Sequence, residues 1–388
     1  MIDYNNILSN KIKEIKPSGI RKFFDISGEI EDCVSLGIGE PDFVTPWHIR
    51  QAGIKSLENG HTHYTSNLGI LELRDEISKY MKRRFELSYN SQNEILVSVG
   101  GSEAIDLALR AVLNQGDEVL IPDPSFVCYE PITSLVGAVP ISIPTYAEND
   151  FRITLEDIKK VISPKTKVIV FPFPNNPTGA VMKKEHLAPI AEYLKDKNIL
   201  VLSDELYSEL TYNGSHTSIA AFEGMKERTI VINGFSKTFA MTGWRLGFAC
   251  GPSEIIAAMT KIHQFAIMSA PTMSQYSAIE ALRNGDEDVE NMKTEYNQRR
   301  RFLLNGLKKL GLTCFEPEGA FYAFPSIKKF GMTSEEFCKR LLYEQKCAVI
   351  PGDAFGKYGE GYVRISYAYN TKTLAKALSR IEKFINSL

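Results

Sequence analysis

Short apolar runs alternate with helical patterns through the middle of the chain. Runs at 95–99, 118–121, 168–171, 200–203 and 230–232 read as buried strands, and 244–250 as a further one. Between the first two lies a helix at 103–113. Ala104, Ile105, Ala108, Leu109, Val112 and Leu113 recur there at helical spacing, and Gly116 with Asp117 stops it. Such alternation predicts βαβ units around a mostly parallel sheet. Past Pro271 the pattern changes. A long charged helix at about 286–310, an apolar patch at 321–324, a helix near 334–344, strands at 348–350 and 362–367 and a terminal helix from Thr371 predict a smaller α+β unit.

Composition narrows the class. A length of 388 residues favours two domains over one. With 44% hydrophobic and 24% charged residues the chain sits in the ordinary globular range. A net charge of −2 leaves no electrostatic footprint for nucleic acid or an anionic membrane. The one basic run, Arg299-Arg300-Arg301, lies in a helical stretch rich in Glu and Asp and reads as a solvated face. Six scattered cysteines (Cys33, Cys128, Cys250, Cys314, Cys338, Cys347) have no CxxC spacing and point to a reducing compartment. The opening stretch MIDYNNILSNKIKEIK lacks the apolar core of a signal peptide, and no apolar run reaches the ~20 residues of a membrane span. A cytoplasmic protein is expected, without membrane or nucleic-acid partners.

Several places carry chemistry. Lys237 stands in a stretch almost free of charge until Arg245, with Phe235, Phe239, Ala240 and Met241 as apolar neighbours. A lysine becomes nucleophilic when apolar surroundings or a neighbouring cation discourage its ammonium. A Schiff-base-forming amine is therefore one reading, and an ordinary surface lysine before a strand is the other. Asp204 follows the run 199–203 and falls at the carboxyl end of a strand, where open α/β sheets place ligands. The plainer alternative is a helix N-cap. Gly100-Gly101-Ser102 joins a strand to a helix, so free N–H groups and the positive helix end converge on a ready phosphate site, or on a turn capped by Ser102. Arg364 interrupts an apolar strand pattern, which is costly unless a carboxylate meets it, either a ligand's or that of an internal Asp or Glu.

Seven motifs occur in order: LGIGEPDF at 36–43, YTSNLGILELR at 64–74, VGGSEA at 99–104, PNNPTG at 174–179, SDELY at 203–207, GFSKTFAMTGWRLGF at 234–248 and PGDAFGKYGEGYVRISYA at 351–368. Together, from about Ile20 to Ala368, they resemble the pyridoxal-phosphate (PLP) aminotransferases of the aspartate and aromatic type, the class I/II branch of fold type I. The fold this resemblance implies is α/β. A large domain, 46–280, holds a mostly parallel sheet flanked by helices, and a smaller α+β domain is assembled from 1–45 and 281–388.

Carried over residue by residue, the resemblance implies that Lys237 is the amine tied to PLP and the general acid/base. Asp204 would serve the pyridine nitrogen, Asn176 and Tyr207 the phenolic oxygen, and Phe126 would stack on the ring. Gly101, Ser102, Ser236 and Arg245 would cradle the phosphate, joined by Tyr64 from the other subunit of a homodimer. Arg364, with Asn176 and the backbone near Gly39, would hold the substrate α-carboxylate. The bond before Pro177 is expected to be cis, and no metal is expected. The implied activity is ping-pong transfer of an amino group between an L-amino acid, acidic or aromatic, and a 2-oxo acid such as 2-oxoglutarate. Ser102 stands where some aspartate enzymes of this branch carry a lysine, which argues against strict aspartate specificity. The segment 17–24 resembles the family's mobile lid. With Phe126 and Tyr129 it suits apolar or aromatic side chains, while Arg21 and Lys22 offer charge to dicarboxylates. Two alternatives stay open: a carbon–sulfur β-lyase would use the same residues, and a PLP-binding regulator would require an added DNA-binding domain, for which the resemblance leaves no room.

Overall fold

Strands rich in Val, Ile and Leu on both faces must be covered by helices above and below. The structure, a computed structural model, describes residues 2–17 and 19–388, without the side chains of Arg21, Lys22, Phe24, Asp25 and Ser27. Its strands are β1 Val34–Ser35, β2 Ile95–Ser98, β3 Glu118–Asp123, β4 Val139–Pro144, β5 Thr166–Pro172, β6 Leu200–Asp204, β7 Thr229–Gly234, β8 Gly247–Cys250, β9 Tyr322–Ala323, β10 Cys347–Ala348, β11 Ile350–Pro351 and β12 Val363–Ser366. Seven form one sheet in the order β2-β8-β7-β6-β5-β3-β4. β3 to β7 pair in parallel, and β8 is antiparallel to both of its neighbours. β2 therefore points the same way as the parallel strands, and its carboxyl end lies at the same edge.

Alternate residues of these strands feed opposite cores, as the pleat requires. Val168, Val170 and Leu202 pack with Ala104, Ile105 and Ala108 of the helix Gly101–Val112. Ile169, Phe171 and Val201 pack with Leu187, Ile190 and Leu194 of the helix Lys184–Leu194. A separate core joins Phe23, Val34 and Leu36 near the N-terminus to Leu303, Phe321, Phe337, Val363 and Phe384. There β1 pairs with β10, and β11, β12 and β9 form a small antiparallel sheet. Among the described residues no helix is long and apolar enough to cross a membrane.

The expected strands and helices are present, with informative departures. β4 was not anticipated, because Pro140 and Pro144 disguise it. Proline is tolerated best on edge strands, and β4 is an edge strand. The strand expected at 244–250 begins at Gly247, since Thr242–Trp244 form a turn and Arg245 adopts φ 53°. The strand expected at 348–350 is two, which pair with different sheets on either side of Val349.

The basic run at 299–301 is not a solvated face. Of these three arginines on the helix Asp286–Lys309, Arg301 alone is exposed. Arg299 is buried and pairs with Asp42 at 2.7 Å and Glu295 at 3.0 Å. Arg300, also buried, bonds Glu316 and the Pro317 carbonyl and lies over the Tyr212 ring. Buried arginine persists where its forked donors are met. Arg300→Ala strands the Pro317 carbonyl and opens a cavity, so it should destabilise the protein by about 2–3 kcal/mol. Thermal or urea denaturation measures this, and an unchanged midpoint would return the run to the surface.

Candidate active site

The carboxyl edge of the sheet opens into a cavity of about 260 Å³. Loops after five strands reach it. β2 leads to Gly101 and Ser102, β3 to Phe126 and Tyr129, β5 to Pro174 and Asn176, β6 to Asp204 and Tyr207, and β7 to Ser236 and Lys237. Arg364 on β12, Tyr322 on β9 and Gly39 close the cavity from the other core. Of the residues assigned above to the cofactor and the substrate carboxylate, all but Tyr64 line this one space. Tyr64 lies outside it, 81% exposed. Ile20, from the segment expected as a lid, also lines it. Ser18 and the side chains of Arg21, Lys22 and Phe24 lie outside the described residues, and with them the expected charge for dicarboxylates.

Lys237 sits in the short helix Phe235–Thr238, its amine aimed inward and donating to the Gly39 carbonyl at 2.7 Å. Desolvation lowers its pKa from 10.5 to about 8, aided by the charges of Arg364 and Arg245 and opposed by Glu40. Glu40 accepts from the Thr242 hydroxyl at 3.0 Å, which ties the 37–42 strand of chain to the lysine loop.

Asp204 ends β6, fully desolvated, and burial raises its pKa from 3.8 to about 6. The Tyr129 hydroxyl donates to it at 2.6 Å and pulls in the other direction. Sequence suggested Tyr129 as an aromatic wall for substrate; its hydroxyl in fact belongs to Asp204. The plainer N-cap reading of Asp204 survives only as one contact, Leu206 N donating at 3.3 Å.

The helix Gly101–Val112 begins two residues before the expected 103. Its N-cap is Gly100, at φ 82°, not Ser102, which lies in the first turn with its hydroxyl free of capping. A Cβ on Gly100 would lie 2.8 Å from the Arg245 guanidinium, and one on Gly247 2.7 Å from the Gly100–Gly101 peptide. The two missing side chains let the arginine and the positive helix end share one spot, an anion cradle.

Arg364 is buried, and among the described residues no carboxylate pairs with it. It donates to Asn176 Oδ1 at 2.9 Å and to the Gly37 carbonyl, while its Nε has no partner. Tyr322 and Phe355 face its guanidinium at 4.5 and 4.8 Å. The internal ion pair considered from sequence is absent here. The Asn176–Pro177 peptide is cis, as expected.

Tyr322 escaped sequence reading, because 321–324 looked like an ordinary strand. The available signal was a hydroxyl in an apolar run, which needs a partner when buried. That partner is the Tyr207 hydroxyl, at 2.7 Å.

Comparisons place these features. The profile of the family "Aminotransferase class I and II" matches residues 31–381. The chain is 53% identical to the putative aminotransferase YugH of Bacillus subtilis (strain 168), covering 98% of each. It is 46% identical to aspartate aminotransferase of Pyrococcus abyssi, covering 97% of this chain and 98% of that one. The crystal structure of an aromatic aminotransferase from Pyrococcus horikoshii OT3 superposes with TM-score 0.90 at 43% identity, covering 95% and 99%.

Two expectations concern the cofactor-free protein. The Lys237 amine, displaced to about 8, should react with a small aldehyde at a rate that rises through pH 8, well below the range of surface lysines. Peptide mapping of the modified residue checks this, and half-maximal labelling near 10.5 would remove the amine from its desolvated site. Asp204 holds its proton to higher pH when folded than when unfolded. Stability is thus fully present below the ordinary 3.8 and falls as pH rises through about 6. Asp204→Asn should raise the thermal midpoint above pH 6, with the gain gone below about pH 4.

Proposed function

Because the chain belongs to the class I and II aminotransferases, which are PLP-dependent, we propose that the cavity's residues divide into one set that seats PLP and another that binds an amino acid by its α-carboxylate. The observation that carries this reading is Arg364, buried without an acidic partner among the described residues and facing the same cavity as the Lys237 amine.

The cavity fits the cofactor. The Gly100 and Gly247 cradle leaves space for phosphate where backbone N–H groups, Ser102, Ser236 and Arg245 converge. Asp204 supplies the carboxylate for the ring nitrogen, steadied by Tyr129. Asn176 and Tyr207 are the donors for the phenolic oxygen, and Phe126 the flat wall against the ring. When bound, PLP supplies an aldehyde for the lysine amine and a ring that accepts electrons from the substrate Cα.

The chain's own residues do the rest. Lys237, easily neutral, takes the Cα proton and returns it elsewhere as general base and acid. Arg364 offers its fork to the carboxylate and fixes the Cα in reach of that amine. Its present partners are neutral carbonyls, so a carboxylate brings the first full charge compensation.

For substrates we favour a dual range of acidic and aromatic L-amino acids, with a 2-oxo acid such as 2-oxoglutarate as acceptor. Relatives named for both kinds, the Ser102 hydroxyl in place of a lysine, and the apolar Ile20 in the wall support this. We further propose a homodimer that contributes Tyr64 across the interface. Tyr64 is exposed, as are Val44, Trp47, Phe265 and Met268, large apolar groups whose exposure suits cover by a second copy. The division at about 46 and 280 into two domains is supported by the separate core that joins the two ends of the chain. Six free cysteines support a reducing, cytoplasmic setting.

Lys237→Ala should abolish turnover and the visible absorbance of the loaded protein. Arg364→Ala should lower kcat/KM for every substrate by roughly a hundredfold or more through the lost forked contact. A panel of amino donors against 2-oxoglutarate, with products identified, reads both. Substantial turnover by Lys237→Ala, or pyruvate and ammonia in place of a new amino acid, would reject the assignment.

A further inference from the structure

Tyr322 touches two of the groups just assigned. It is almost wholly buried, on β9, and its register partner across the small sheet is Ser366 on β12. Arg364, two residues before Ser366, lies on the same face of β12, at the diagonal position a long aromatic side chain can reach. The ring uses that reach: the guanidinium carbon sits 4.5 Å from its centroid, with Phe355 also facing the guanidinium, 4.8 Å away. The hydroxyl at the far end of the same ring is 2.7 Å from that of Tyr207. The chain makes room for it at Gly39, where a Cβ would come within 2.4 Å of the Tyr322 oxygen.

We propose that Tyr322 is a positioning residue that serves both ends of the site, its hydroxyl orienting Tyr207 and its ring face holding Arg364. This rests on the roles given above to those two residues. A phenol has one proton to donate and two lone pairs. Among the described residues Tyr322 is the hydrogen-bond partner of the Tyr207 hydroxyl, so Tyr207 can donate into the cavity while Tyr322 donates to it. Burial keeps both phenols protonated above their ordinary range. The ring faces have a second use. They hold the guanidinium by its π-surface and leave its charge uncancelled, where an internal carboxylate would have cancelled it.

The test uses the PLP-loaded protein and two readouts. One is the pH midpoint of the bound cofactor's visible absorbance. The other is the dissociation constant of succinate or 3-phenylpropionate, carboxylates without an amino group. Tyr322→Phe keeps the ring and loses the hydroxyl. It should raise the midpoint by about half a pH unit, because a donor network to the phenolic oxygen is weakened, and leave carboxylate binding within about twofold. Tyr322→Met, which fills much of the same space without a ring, should weaken carboxylate binding roughly tenfold. Tyr207→Phe and Arg364→Ala are run beside them. If Tyr207→Phe moves the midpoint and Tyr322→Phe does not, the orienting role is overturned while Tyr207 keeps its own. If Arg364→Ala loses carboxylate binding and Tyr322→Met does not, the ring's role is overturned. If neither control responds, the assignment of Tyr207 and Arg364 has failed first and takes this inference with it. Should Tyr322→Met not fold, Tyr322→Leu takes its place for the ring's role, and Tyr322→Phe still decides the orienting role.

Discussion

Keeping a lysine amine out of water is the constraint around which the site is arranged. Desolvation disfavours the ammonium, and two further cations, Arg364 and Arg245, push the same way. Only Glu40 pulls back, and it is spoken for by Thr242. Among the described residues three potential cations thus face one cavity whose one lining acid, Asp204, is itself displaced toward its neutral form. A cavity so unbalanced is poorly satisfied by itself. It is satisfied by a ligand that brings phosphate to one end and a carboxylate to the other, which is the charge pattern of PLP with an amino acid.

The fold makes that imbalance tolerable by distributing its components. The sheet's carboxyl edge contributes Asn176, Asp204 and Lys237 from three adjacent strands in fixed register, Pro172 beside Asp204 and Asp204 beside Ile232. The second core contributes Arg364 and the segment through Gly37 and Gly39. That segment is fastened on both sides, by Arg364 to Gly37 and by Lys237 to Gly39. Farther along, Asp42 is held by Arg299 and Thr45 by Trp244 and the Ala240 carbonyl. Lys237 and Arg364 therefore both rest on carbonyls of one short strap, and a ligand that claims them must compete with it.

Much of this was legible in the residues. Apolar runs located the parallel strands, because a strand buried on both faces has no polar alternation to blur it. The motifs around Lys237, Asp204, Asn176 and Arg364 located the cavity. What stayed hidden is relational. β4 hid behind prolines that an edge position tolerates. Arg299 and Arg300 passed for surface charge because helical spacing does not reveal that Asp42 and the Pro317 carbonyl, distant in sequence, would meet them. Tyr129 and Tyr322 are aromatic residues in aromatic company. Nothing local distinguishes a phenol that fills space from one whose hydroxyl is committed to Asp204 or Tyr207.

The two ends of the cavity differ in kind, and that difference bears on the proposed substrate range. The Arg364 end is buried and overdetermined: the guanidinium is held by Asn176, by Gly37 and between two rings, so it can vary little with the ligand. The wall toward the helix Gly19–Gly28 presents the apolar Ile20, and Ser102 near the cradle is exposed and uncharged. An apolar wall discriminates weakly among side chains, by about one to three kcal/mol per methylene, whereas a fixed buried charge rejects whatever lacks its counterpart far more strongly. On the proposed reading, a site built this way demands an α-carboxylate and is lenient about what lies beyond it. An aromatic side chain then requires no device of its own, whereas the distal carboxylate of an acidic one must keep its charge toward solvent or a cation.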